Sequence, residues 1–265
     1  DRNRTSPFAF TGNKFEFRMV GSSDSIADAN VTLNAIVAEA LCEAADVLEK
    51  ADDFEASCYQ LIHDWMTKHQ RIVFNGNGYS EEWVEEAARR GLPNLPSMVS
   101  AIPSLTTEKA EALFTRFGIY TKSELEARAE IMYETYAKVI KIEANTMTHM
   151  AGKHYIPAAI HYTTRLGQSI AAVSGAGLDA ELTVQKSLLV KCSKLLSEAD
   201  AALETLKGLL TEVDALEDIK EMAWAYHDKV VPAMTALRSP VDELELLVDK
   251  DIWPVPTYGD LMFEV

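Results

Sequence analysis

The residues best suited to chemistry stand near the start of the chain: Arg4, then Lys14, Glu16 and Arg18 at alternate positions. Alternate side chains of an extended strand share a face, so this spacing puts a carboxylate between two cations. Such a row suits a site that handles a metal ion and anionic ligands. It also describes the wet side of any antiparallel sheet, which needs no chemistry at all.

The element that must position this row is a β-hairpin. Phe8 and Phe10 alternate with Ala9 on one arm, and Phe15 and Phe17 alternate with Lys14, Glu16 and Arg18 on the other. Gly12 and Asn13 supply the central turn residues that tolerate positive φ. Pairing Thr11 with Lys14 sets Phe10 against Phe15, Phe8 against Phe17 and Ala9 against Glu16. The four phenylalanines then form an apolar face opposite the charged row. A two-stranded hairpin is marginal alone in water. With Asp1 in place of an initiator methionine, the chain is expected to be a piece of a longer protein.

Asn3-Arg4-Thr5-Ser6, a short gap, Lys14-Phe15-Glu16-Phe17-Arg18 and an apolar helix headed by Asn30 together resemble the end of the catalytic domain of glutamine synthetases. Commoner members of that family read Asn-Arg-Ser-Ala-Ser-Ile-Arg-Ile-Pro, then a strand of the form (Ile/Phe)-Glu-(Tyr/Val/Phe)-Arg, then Asn-Pro-Tyr-Leu opening a helix. The variant here, with a long helical tail and the ending Trp253-Pro254-Val255-Pro256-Thr257-Tyr258, is similar to the type III branch.

The resemblance implies roles where residues match. Glu16 matches the glutamate that helps hold the divalent ion, Mg2+ or Mn2+. Arg18 matches the arginine that binds the carboxylate of substrate glutamate. Arg4 matches the catalytic arginine beside the transferred phosphoryl group of ATP and the substrate, and Lys14 stands where many members carry a basic nucleotide-side residue. Ala9 occupies the position of a second ATP-contacting arginine, and Asn30-Val31-Thr32-Leu33 lacks the proline of the usual helix opening. The implied parent is a cytoplasmic glutamate–ammonia ligase of nitrogen metabolism. It joins ammonia to L-glutamate through γ-glutamyl phosphate at the expense of ATP, as a homo-oligomer of stacked rings (a dodecamer). The other metal ligands and the rest of the barrel fall outside these residues, so the chain alone is expected to be inactive.

Bulk properties narrow the field further. Asp and Glu outnumber Lys and Arg by 41 to 25, a net charge of −16, which repels phosphate backbones and anionic lipid. No apolar run approaches the roughly twenty residues of a membrane span. Neither nucleic acid nor a membrane is expected as a partner. Cys42, Cys58 and Cys192 are odd in number and widely spaced, and read as free thiols buried in a reducing cytosol.

The fold class expected is mainly α: a helical bundle preceded by a β-hairpin that is the remnant of an α+β catalytic domain. Residues 1–50 read as the end of that domain, 51–250 as a helical region, and 251–265 as an apolar, proline-containing tail docking on the bundle or on a neighbouring subunit. Asn30 is the expected cap of a helix to Lys50, and Asp52-Asp53 open a second to about Gln70. Ser80 opens a third to about Arg90; residues 91–103 read as loop; Thr106 or Thr107 caps a helix ending before Gly118. Long helices follow over 122–151, 157–174, 179–213 and 216–237, the last kinked or interrupted at Pro232, and Pro240 starts a final short one. Short joins make neighbours antiparallel and hence a bundle.

Other motifs carry little. Asn75-Gly76-Asn77-Gly78 lacks the lysine and Ser/Thr of a phosphate loop and reads as a connection. His149, His154 and His161 are spaced five and seven apart, which does not put them on one α-helical face, and no zinc-binding pattern occurs. Against the enzyme reading stands a non-catalytic helical scaffold, oligomerisation or regulatory module. The two differ on whether Glu16 and Arg18 tolerate alanine.

Overall fold

The computed structural model describes residues 25–177, 179–256 and 260–262 in full, and the backbone alone at 8–10, 15–17, 258, 259 and 263. Two strands, β1 (Phe8–Phe10) and β2 (Phe15–Phe17), pair antiparallel, with Phe8 opposite Phe17, Ala9 opposite Glu16 and Phe10 opposite Phe15. This is the register that the aromatic alternation sets. Everything else with regular structure among the described residues is helical, and the chain is mainly α. It divides into two compact units, Asp1–Ala127 and Arg128–Val265.

In the first unit, α1 (Ala27–Leu48) begins three residues before Asn30. The Ser25 hydroxyl accepts from the Ala27 N–H at 3.2 Å, and the Asn30 N–H is already bonded to the Ile26 carbonyl. Asn30 is therefore inside the helix and not its cap. Asp53 caps α2 (Phe54–His69) by accepting from the Ala56 N–H at 3.0 Å. Ser80 precedes α3 (Glu81–Arg89).

The stretch expected as loop before Pro103 contains α4 (Met98–Ala101), which runs into a 3-10 turn, Ile102–Thr106. Ser97 and Ser100 form a reciprocal capping box, and Val99 and Ile102 are buried anchors. Pro103 falls at the start of the turn, where a missing N–H costs nothing. Thr107 caps α5 (Glu108–Arg116). Gly118, with φ +62°, ends it as the Ile119 N–H reaches back to the Phe114 carbonyl. Ala35, Phe114 and Leu125 centre a small core flanked by Val31, Leu113 and Tyr120.

The second unit is built from long helices. After α6 (Lys122–Met150) comes a π-helical turn, Ala151–Tyr155, and then α7 (Ile156–Gly175), with helical φ and ψ across both joins. Helix α8 (Thr183–Asp214) returns, and α9 (Ile219–Ala225) leads through a second π turn, Tyr226–Val230, into α10 (Val231–Glu245). A short α11 (Tyr258–Phe263) lies in the tail.

Both π turns have the same cause. Proline lacks an N–H, and its ring crowds the carbonyl four residues before it. Pro157 and Pro232 each follow a residue whose N–H bonds five residues back: Ile156 to the Ala151 carbonyl, and Val231 to the Tyr226 carbonyl. The extra residue widens the turn and lets the helix continue. The expected break before Pro157 and the kink or interruption at Pro232 are thus wide turns. Pro240 likewise starts no new helix but lies inside α10.

The core of this unit runs along α8 through Cys192, Leu195, Ala199, Leu203, Leu206, Leu210 and Val213, all buried at the 3,4 spacing of one face. Against it lie Ala158, Ala159 and Leu166 of α7 and Leu237, Val241 and Leu244 of α10. On α6 the buried positions are Ala129, Tyr133, Ala137 and Ala144, whereas Val139 is exposed.

Candidate functional site

Of the four residues singled out by sequence, Arg4, Lys14 and Arg18 lie outside the described residues. Glu16 is placed only as the middle residue of β2, opposite Ala9. Among the described residues no group of three or more His, Cys, Asp or Glu gathers as a metal site.

The described residues do bring other polar groups together, chiefly at the two π turns. At the second, Tyr226 is fully buried and its hydroxyl donates to Asp214 Oδ1 at 3.0 Å. Lys141 Nζ approaches the same oxygen at 2.8 Å. Burial, and next the hydrogen bond and charge of Asp214, push the Tyr226 phenol well above its ordinary range, so it remains protonated and serves as a donor. His227 is edge-on to Trp224, with centroids 5.6 Å apart, and its Nδ1 lies 2.7 Å from Asp228 Oδ1. The cluster ties α6, α8 and α9 together.

At the first π turn, His149 and His154 stand with ring centroids 5.7 Å apart. An α-helix does not align a gap of five, but the wide turn does, and Pro157 was the sequence signal for it. Tyr155, on the same turn, stacks on Trp253 at 5.1 Å and 15°, so the tail's tryptophan packs on its own chain. These two rings border a groove of about 280 Å³ that also takes in Met147, Met150 and Val241. Arg238, Asp242 and Glu245 of α10 line it too, with Arg238 Nε paired to Asp242 Oδ2 at 3.0 Å. Burial, then the charges of Glu245 and Asp242, raise the Tyr155 phenol. The Trp253 indole nitrogen is buried without a hydrogen-bond partner among the described residues.

In the first unit, Arg90 donates to the Val73 carbonyl at 2.7 Å and to Glu86, and sits 5.7 Å from the Trp83 ring centroid. Trp83 in turn stacks on Phe74 at 4.2 Å. This arginine pins the glycine-containing connection in place, consistent with the structural reading of Asn75–Gly78. Of the thiols, Cys192 is buried and pushed up by that burial, and Cys42 and Cys58 are half-buried and unpaired. No helix among the described residues is long and apolar enough to cross a membrane.

Comparison with known proteins bears on the first eighteen residues and on the helices alike. Residues 57–174 match the family described as the glutamine synthetase C-terminal domain. Curated relatives align over nearly the whole chain. A glutamine synthetase of Bacteroides fragilis (strain YCH46) is 34% identical over 271 residues, covering 99% of this chain and 37% of its own length. A type-3 glutamine synthetase of Dictyostelium discoideum is 36% identical over 275 residues, covering 99% of this chain and 37% of its own length. A glutamine synthetase of Butyrivibrio fibrisolvens is 36% identical over 272 residues, covering 100% of this chain and 38% of its own length. The chain thus spans little more than a third of the curated relatives it matches; it is similar to glutamine synthetases, with a match to their C-terminal domain over residues 57–174 and a type-3 member among the relatives.

Proposed function

We propose that this chain closes the catalytic region, and supplies the helical region that follows it, of an ATP-dependent glutamate–ammonia ligase of the type III kind. The supporting observation is that alignment with proteins named glutamine synthetase extends over 99–100% of the chain. It therefore includes the strand Phe15–Phe17 and its charged flanks. In this reading the γ-carboxylate of L-glutamate attacks the γ-phosphate of ATP and ADP leaves. Ammonia then attacks the acyl phosphate and phosphate departs.

The chain's own residues contribute charge and orientation to that sequence. The Arg18 guanidinium, a planar fork of donors, would hold the substrate carboxylate by two parallel hydrogen bonds. Arg4 would face the negative charge on the phosphoryl group in transfer, and Lys14 the nucleotide side, where fixed positive charge stabilises a transition state with little reorganisation. Glu16 carries the hard oxygen donors that magnesium or manganese takes, and such an ion would neutralise phosphate charge. One carboxylate does not complete an octahedral oxygen shell. These residues by themselves therefore do not make a metal site, and the chain alone is proposed to be inactive.

The helices past about Lys50 are proposed to serve assembly in a homo-oligomer. Ile131 and Ile142 on α6 and Tyr59 and Met66 on α2 are large apolar residues left more than half exposed, which suits surfaces that meet other protein. The deciding experiment is phosphate release by the intact protein given glutamate, ammonium and Mg-ATP, comparing wild type with Glu16→Ala. An active wild type and a folded, assembled mutant that has lost most of its rate support the catalytic reading. Equal rates remove Glu16 from the site. No release by either favours a scaffold without chemistry.

A further inference from the structure

The groove beside the first π turn has the composition of a small-molecule site. Its volume of about 280 Å³ is near the lower end for pockets that take small organic ligands. Three features restrict what fits. Met147, Met150 and Val241 give an apolar wall, with flexible thioethers that adapt to irregular bodies. Tyr155 and Trp253 supply a stacked aromatic pair, and the face of such rings attracts cations. Asp242 and Glu245, one turn apart on α10, bring two carboxylates, and Arg238 pairs with Asp242 at 3.0 Å. The lining therefore carries one negative charge in excess, in a protein whose net charge is −16.

Trp253 adds an observation independent of the charges. It is 7% exposed, and its indole N–H is buried with no acceptor among the described residues. A buried donor without a partner is unusual in a native fold. An acceptor oxygen presented from the groove would let the indole turn onto it. An anion or a purely apolar molecule satisfies only part of this set.

We propose that the groove binds a small amphipathic organic ammonium: a compact apolar body, a cationic nitrogen set against Glu245, and an acceptor oxygen nearby for the Trp253 N–H. The proposal draws on none of Arg4, Lys14, Glu16 and Arg18, and it stands whether or not those residues act as proposed above.

The test uses the intact protein and three probes titrated by calorimetry: 2-phenylethanol, phenethylamine and phenylalaninol. They share a phenyl body; the first carries a hydroxyl, the second an ammonium in its place, and the third both. Fragments of this size are expected to bind with Kd on the order of millimolar. Phenethylamine should bind about threefold to fivefold tighter than the alcohol, the scale of one exposed ion pair, and phenylalaninol tighter again. Glu245→Gln should erase the advantage of both amines. Trp253→Phe, which keeps the stacked ring but removes the N–H, should erase the gain of phenylalaninol over phenethylamine and leave phenethylamine itself unchanged. Glu217→Gln, a surface change elsewhere, should alter neither. The proposal fails if no probe saturates, if amine and alcohol bind alike to wild type, or if the preference for amines survives Glu245→Gln.

Discussion

Trp253 lies almost flat on Tyr155, the ring centroids 5.1 Å apart and the planes 15° from parallel. This contact fastens the start of the tail to the π turn between α6 and α7. Burial and stacking favour it, while the unpartnered indole N–H works against it. Replacing the residue therefore separates the two effects. Trp253→Ala is expected to cost about 3 kcal/mol or more, as other buried aromatic truncations do. Trp253→Phe keeps a ring on Tyr155 and deletes the orphan donor, so it should cost about 1 kcal/mol or less. Denaturant unfolding of the intact protein and both variants checks this; equal losses would mean that the stack contributes nothing beyond size.

The Tyr226 hydroxyl and Asp214 make a pH-sensitive fastening. The phenol is raised in the folded state, first by burial and then by Asp214, so the native protein holds that proton more tightly than the unfolded chain does. The stabilisation is complete below the unfolded tyrosine pKa of about 10 and is lost as pH rises from there towards the folded value. Tyr226→Phe should cost about 1 kcal/mol at neutral pH, the worth of a typical hydrogen bond. It should also flatten the loss of stability above about pH 10. Tyr133, Tyr136, Tyr155 and Tyr162 are raised too, so some slope should persist. Stability measured from pH 8 to 11 on wild type and mutant tests the pair.

The helical character of the chain is written in local signals. Asp53, Thr107 and Gly118 act where their chemistry says they should, because capping depends on a few adjacent atoms. The π turns were hidden for the opposite reason. Proline signals a break, and only tertiary packing decides whether the helix stops or widens. Pro157 and Pro232 widen their helices because the residues that follow them must keep facing α8. The same dependence buries Tyr133 and Ala137 on α6 and leaves Val139 exposed. The charged row at residues 14–18 was legible as a pattern, but its chemistry was suggested only by resemblance, since a strand's wet face looks the same. The groove was not legible at all: Met147, Glu245 and Trp253 are far apart in sequence and meet only through the fold.

The first π turn sets the rotational phase between α6 and α7. At about 100° per residue, the 37 steps from Ala129 to Leu166 would leave these residues roughly a quarter turn out of phase on an unbroken α-helix. One extra residue in the turn removes that offset, and both are buried. Inserting a second extra residue beside Lys153, an exposed residue of the turn, should therefore swing Leu166 and Ala159 away from α8. The expected cost is at least the 2–5 kcal/mol of a large-to-small core change, roughly, even though no buried side chain is removed. Pro157→Ala should stay within about 1 kcal/mol, since packing and not the proline alone holds the wide turn. Denaturant unfolding compares the two; a tolerated insertion would show that the turn has no role in phase.

The proposed role of Arg18 differs from that of a mere surface cation in a way kinetics can read. Holding a carboxylate by two parallel hydrogen bonds requires the guanidinium fork, and lysine keeps the charge but offers a single point. Arg18→Lys in the intact protein is therefore expected to raise KM for glutamate about tenfold, near 1.4 kcal/mol, while leaving KM for ATP close to wild type. Added salt should restore nothing, because geometry rather than net charge is what the substitution removes. A fall in kcat with KM for glutamate unchanged would place Arg18 against the transferring phosphoryl group and leave substrate binding to other residues. Wild-type values throughout would return the charged row at residues 14–18 to the reading of a sheet's wet face without chemistry.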